Sequence, residues 1–191
     1  MLFEDAILYA RHSRRGFTVE HMLGRDAMLR RLVSKLFGFE TELSELRRQI
    51  KELSWDTSFG MWTRGAFLQF CHVMPRDTRC LAFIDLNHIH DLNEELGYNE
   101  VDRRVKEMFS VPFRRSDIVA RWYSGDEIVI LFDSDLTVAQ QKIEQLRNSA
   151  AEQGLTFYCE IGAWEIGKQS IESVVDALAQ SVIKSKGRDP R

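Results

Sequence analysis

Three carboxylates in this sequence stand where an acid is costly unless it is paired or holds a cation. Asp85 closes a short apolar run, Arg79 to Leu86 (RCLAFIDL), and Asp126 and Glu127 follow a Tyr-Ser-Gly turn at the head of a second run ending at Phe132. Both runs read as buried strands. In α/β sheets, ligands collect at strand ends and the loops beyond them. Acids from two neighbouring strands could hold Mg²⁺ or Mn²⁺ through hard oxygen ligands. Such ions could bridge nucleotide phosphates and activate an attacking hydroxyl. The ordinary reading of either acid alone is a cap or a turn residue. Their joint occurrence on two predicted strands favours chemistry. After Asp85 the chain reads LNHIHDLN, a strand feeding a helix N-terminus whose N–H groups would face an anion. The absence of a Gly-rich phosphate loop disfavours a Walker-type NTPase.

The elements that must position these acids follow from periodicity. Residues 1–54 read as helical, with Met28, Leu29, Leu32, Val33 and Leu36 on one face and Gly24 and Gly38 at plausible helix ends. Leu43, Leu46, Ile50 and Leu53 then form an apolar seam of under two heptads. That seam suits a coiled coil or an amphipathic helix packed on its own domain equally well. Trp55-Asp56 marks the junction to residues 55–191. From there the pattern predicts helices at 64–74 (ended by Pro75), 89–96, 99–110, 136–153 and 171–186. Strands are expected at 79–86, 118–122, 127–132 and 155–163, with 118–122 and 127–132 forming a hairpin. Helices interleaved with strands imply an α/β sandwich with a mixed central sheet flanked by helices.

Bulk properties bound the rest. Of 191 residues, 44% are hydrophobic and 29% charged, enough to bury the core of a globular domain. A net charge of -3 argues against nucleic acid or an anionic membrane as partner. Cys71, Cys80 and Cys159 are widely spaced and odd in number, so a disulfide framework or zinc site is not expected and a reducing cytoplasm fits. No apolar run approaches a bilayer span. The start, MLFEDAILYARHSRR, carries early acids and does not read as a signal peptide.

The motifs together resemble the GGDEF-domain family. Phe83 to Asn93 (FIDLNHIHDLN) is similar to its DIDxFKxIND strand–loop–helix. Gly97-Tyr98 followed by Asp102 resembles GHxxGD, and Arg114-Arg115-Ser116-Asp117 resembles RxxD. Ser124-Gly125-Asp126-Glu127-Ile128 stands at the signature itself. Asp56 to Arg64 resembles DxLTGLxNR, and Lys186-Gly187-Arg188 a shortened AKxxGRN tail. The likeness covers about residues 55–191.

What the resemblance implies is a nucleotidyl-cyclase-like α/β domain. It would be a diguanylate cyclase that condenses two GTP molecules into cyclic di-GMP and pyrophosphate in bacterial second-messenger signalling. Asp85 and Asp126, with the Leu86 carbonyl, would hold Mg²⁺ or Mn²⁺. Glu127 would help deprotonate the attacking 3′-hydroxyl. Asn93 and Asp102 would read guanine, and His90, Lys186 and Arg188 would meet the phosphates. Arg114 and Asp117 would bind product as an inhibition site. The active form would be a homodimer, in a bacterial cytoplasm, with residues 1–54 pairing two copies or docking an upstream regulatory protein.

The departures set up an alternative. Tyr123 is an extra residue in the signature turn, Ser124 replaces a glycine, and His90 replaces a phosphate-binding lysine. Asn87 replaces an aspartate and Val101 a glycine. These features suit a catalytically degenerate domain that binds cyclic di-GMP or GTP as a regulatory module. A bare dimerisation platform is a third reading, and it leaves the retained acids unexplained.

Overall fold

The computed structural model describes residues 27–72, 78–123, 125–165 and 167–187. The chain divides into two compact units, residues 1–50 and 51–191.

The first described element is one helix, α1 (Ala27–Ser54). It corrects the expectation that Gly38 ends a helix. Gly38 does not take the left-handed backbone of a helix stop, so its lack of a side chain only lowers local propensity. Side chains at Met28, Leu29, Leu32, Val33 and Leu36 lie outside the described residues. Along the seam Leu43 is half-buried, while Leu46, Ile50 (63%) and Leu53 (79%) are exposed.

The second unit is built on one six-stranded sheet. Its elements in order are β1 (Trp55–Asp56), β2 (Met61–Thr63), α2 (Arg64–His72), β3 (Thr78–Leu86), α3 (Ile89–Leu96), α4 (Tyr98–Met108), β4 (Ile118–Arg121), β5 (Glu127–Phe132), α5 (Leu136–Glu152), β6 (Phe157–Glu165) and α6 (Ile171–Lys186). The strands lie in the order β1-β2-β4-β5-β3-β6. Only β2 and β4 pair in parallel; the other neighbours are antiparallel, so the sheet is mixed as expected. The sequence reading missed β1 and β2. With two and three residues they are too short to show alternation, and β2 exists because Trp62 and Thr63 register on Ala120 and Arg121.

Both faces of the sheet are covered, which explains the near-continuous apolar runs in β3 and β5. On one face, Ala82, Ile84, Ile128 and Ile130 pack with Val101 and Val105 of α4 and Ile143 and Leu146 of α5. On the other, Leu81, Phe83, Val129 and Leu131 meet Phe67 of α2 and Val175 and Val182 of α6. Asp135 and Ser170 cap α5 and α6, each side chain accepting from a backbone N–H three residues on. Gly97 joins α3 to α4 with φ 82°, a conformation an L side chain rarely adopts. The three cysteines are free, with Cys71 and Cys80 buried. Among the described residues no helix is long and apolar enough to cross a membrane.

Candidate functional site

The antiparallel ladder between β3 and β5 runs without a break from Cys80 opposite Phe132 to Asp85 opposite Glu127. Asp85 and Glu127 therefore face each other at one end of the sheet. A backbone bond joins the next positions, the Leu86 N–H donating to the Asp126 carbonyl at 3.1 Å. All three acids thus gather at one place, though from a strand end, a turn and a strand start.

Their electrostatics show the strain of crowding. Burial pushes the Asp85 carboxyl above its ordinary range, and the Asp126 charge adds to the shift while Lys186 opposes it. Burial also raises Glu127, helped by Asp126 and Asp85. Lys186, in the last turn of α6, places Nζ 2.6 Å from Asp85 Oδ1. This is a charge contact, and the buried oxygen keeps no well-directed hydrogen bond. A Cβ on Gly125 would meet Glu127 Oε2 at 3.0 Å, a tight contact that would nudge the carboxylate aside.

Among the described residues no three His, Cys, Asp or Glu side chains already converge as a metal cluster. The donor set nonetheless fits a hard divalent cation. Two acids held above their ordinary range by burial and mutual repulsion would be relieved by a cation beside them. Lys186 supplies that positive charge here.

Beside the acids lies a cleft of about 280 Å³, lined by Phe59, His90, Asn93, Tyr98, Asp102, Arg121 and Asp126 among others. Asn93, Asp102 and His90, the residues expected at a nucleotide, all line this cleft with Asp126. Asn93 Oδ1 is buried and has no protein partner. His90 stands on α3 with Nε2 3.2 Å from Glu94 Oε1. His88, before α3, takes a left-handed backbone with φ 56°.

Arg121, at the end of β4, carries no motif of its own in the sequence. Its Nε donates to the Gly125 carbonyl at 2.9 Å and its Nη1 to Asp56 Oδ2 at 3.0 Å. Its guanidinium also lies 4.1 Å from the Phe59 ring centre. Asp56 in turn accepts from the Phe59 N–H at 2.8 Å, closing the turn between β1 and β2. Arg121 thus ties that turn to the signature turn, a link between residues 65 apart in sequence that local patterning cannot show. Phe59 and Tyr98 were likewise not singled out as cleft residues.

The signature turn has a second hold. Trp122 is buried and its backbone N–H donates to the Glu127 carbonyl at 2.9 Å. Arg64, the first residue of α2, sets its guanidinium 4.5 Å from the Trp122 ring centre and 5.3 Å from that of Tyr123. Such contacts are worth about 0.5–2 kcal/mol, depending on desolvation. Ser124 lies outside the described residues, as does Arg188.

Arg114 and Asp117 sit at the opposite end of the sheet from the acids, just before β4. Asp117 Oδ2 accepts from the Arg114 N–H and Oδ1 from the Asp133 N–H, both at 2.9 Å. Arg114 Nη1 donates to the Asp133 carbonyl at 2.8 Å. Asp133 pairs with the buried Arg79, and its carboxyl is held below the ordinary range by the Ser116 hydroxyl and by Arg79. The pair therefore braces the outer ends of β4 and β5. It also lines a hollow of about 390 Å³ with Phe113, Phe132 and Lys142.

The raised pKa values carry a sign for stability. A carboxyl with a raised folded-state pKa contributes stability that is full below the unfolded value of about 4 and lost as pH rises through the folded value. Asp85 and Glu127 behave so. Glu100, lowered to about 2 by hydrogen bonds from Arg103 and Arg104, behaves oppositely, as does Asp133. The metal-free protein is expected to gain thermal stability as pH falls through the raised Asp85 and Glu127 values toward the unfolded value of about 4, and to lose it below that. Mg²⁺ should flatten the upper limb. Melting curves with Mg²⁺ or EDTA check this, and a metal-insensitive upper limb would contradict it.

A family model described as "Diguanylate cyclase, GGDEF domain" matches residues 69–188. Among curated proteins, the "Cyclic di-GMP phosphodiesterase NbdA" of Pseudomonas aeruginosa is 26% identical over 154 residues, 72% of this chain. This chain spans only 18% of that relative's length. Among solved structures, the coiled coil and GGDEF domain of DgcB from Caulobacter crescentus, in complex with c-di-GMP, superposes with a TM-score of 0.70 at 19% identity, covering 84% of this chain and 95% of that one. Diguanylate cyclase SiaD from Pseudomonas aeruginosa, in complex with its activator SiaC, gives 0.59 at 20% identity, covering 95% and 74%. At these identities the two structures speak to fold alone.

Proposed function

Because the chain belongs to the GGDEF-domain family, we propose that it is a metal-dependent diguanylate cyclase, condensing two GTP into cyclic di-GMP. The observation that carries this reading is Asp85 registered opposite Glu127, with Asp126 lining a cleft that also presents Asn93 and Asp102. Asp85, Asp126 and the Leu86 carbonyl would hold Mg²⁺ or Mn²⁺, which when bound would neutralise phosphate charge and favour the 3′-alkoxide. Asn93 Oδ1, buried without a partner, is a ready acceptor for guanine N–H groups, and Asp102 is a second. Lys186 and Arg188 would meet the terminal phosphates. Glu127 would take the 3′-hydroxyl proton, its raised pKa suiting a proton acceptor that later releases it. Each 3′-oxygen then bonds to the other nucleotide's α-phosphorus as the bond to pyrophosphate breaks.

The product is two-fold symmetric, so two copies must face each other. The exposed apolar residues of α1 suit a second copy or a regulatory partner. Arg114 and Asp117 would bind product, although their present bonds to the 133 backbone must then be shared. A bacterial cytoplasm, where GTP is abundant, fits this activity.

A second reading, nucleotide binding without turnover, is favoured by His90. It offers phosphate a histidine already engaged with Glu94 where the resembled motif has a lysine, a compact ammonium on a long stem. Incubation of the purified chain with GTP and Mg²⁺ or Mn²⁺ separates the two. Cyclic di-GMP that disappears in Asp126→Ala supports the enzyme. No product, with cyclic di-GMP binding abolished by Arg114→Ala, supports the receptor. His90→Lys is expected to tighten GTP binding by up to about fivefold at neutral pH, the scale of an exposed charge pair. Titration calorimetry of GTP into the two proteins reads it.

A further inference from the structure

Arg64 opens α2 at the positive end of the helix, the wrong end for a cation, and no acid stands in that first turn. Among the described residues its guanidinium makes no ion pair or hydrogen bond. What it has is two rings. Trp122 is fixed in the core, with Phe67 edge-on to it at 5.8 Å. Tyr123 is 46% exposed and meets Trp122 at 74°, ring centres 6.3 Å apart. The guanidinium fills the angle between them. The far side of the same turn is held by Arg121 at Gly125, and the next residues are Asp126 and Glu127.

We propose that Arg64 is a positioning residue: it clamps Tyr123 against Trp122 and thereby sets how the turn delivers Asp126 and Glu127. Tyr123 is the residue by which this turn exceeds the signature it resembles. The clamp gives the added Tyr123 ring a neighbour on two sides, Arg64 and Trp122. Its catalytic consequence rests on the proposed cyclase activity; the clamp itself does not.

The test measures amide hydrogen exchange over residues 122–127 of the full chain in wild type, Arg64→Gln and Arg64→Lys. Melting temperature is read alongside, with kcat and KM for GTP in Mg²⁺. In Arg64→Gln, exchange at Tyr123, Gly125 and Asp126 is expected to quicken on the order of tenfold, the scale of one cation–π contact. The melting temperature should fall by no more than about 5 °C, and kcat should fall by a similar factor to the exchange at nearly constant KM, because the guanine wall is untouched. Arg64→Lys, which keeps the charge, should restore both. Unchanged exchange, exchange raised equally across the whole domain, or faster exchange at unaltered kcat overturns the proposal. If Arg64→Gln does not fold, Tyr123→Ala, which leaves Trp122 in place, must show the same local loosening. A wild type that forms no product fails the cyclase reading, and exchange alone then decides the clamp.

Discussion

Asp85→Asn is expected to lower cyclic di-GMP formation on the order of 10³-fold, the several kcal/mol that metal-centred charge stabilisation supplies. The substitution keeps shape and removes the charge that would hold the cation. It should not harm the fold. Burial already disfavours the Asp85 carboxylate, and Lys186, its partner, is partly open to water. The metal-free variant should therefore melt no lower than wild type near neutral pH, and Mg²⁺ should shift its melting point less. Product chromatography with paired melting curves measures both. A variant within about tenfold of the wild-type rate would mean that Asp85 is no metal ligand.

Phe67→Ala is the largest expected loss of stability. Phe67 is fully buried on the sheet face that α2 and α6 cover. Removing such a ring costs about 3–5 kcal/mol, transfer and cavity together. For a protein of this size that corresponds to a fall in melting temperature of roughly 10–15 °C. The effect should exceed that of exposed Leu136→Ala many times over, since Leu136 is already in water. Thermal unfolding followed by circular dichroism reads the loss, and a shift of only a few degrees would show that the α2 side of the core repacks.

The sheet was legible where strands are long and apolar. β3 and β5 are buried on both faces, so their runs stand out. Because the ladder between them pairs Asp85 with Glu127, finding the two runs nearly sufficed to predict that their acids meet. Legibility failed where structure depends on distant partners. β1 and β2 are strands only through each other and β4. Arg121 takes its place from Asp56, and Arg64 from two rings nearly sixty residues on. Gly38 misled because glycine marks a helix end only in a left-handed conformation, which composition does not reveal. Arg114 and Asp117 looked like a ligand pair, yet each is also bonded to backbone beside β5. The sequence cannot show this, since Asp133 follows a different strand.

The uninterrupted pairing from Cys80–Phe132 to Asp85–Glu127 has an evolutionary corollary. Strand register, and not connector length, fixes where Glu127 lies relative to Asp85. A change in turn length between Trp122 and Gly125 leaves that backbone pairing in place and acts on the aim of the Asp126 and Glu127 side chains, so descendants that vary this loop retune the acids before they lose them.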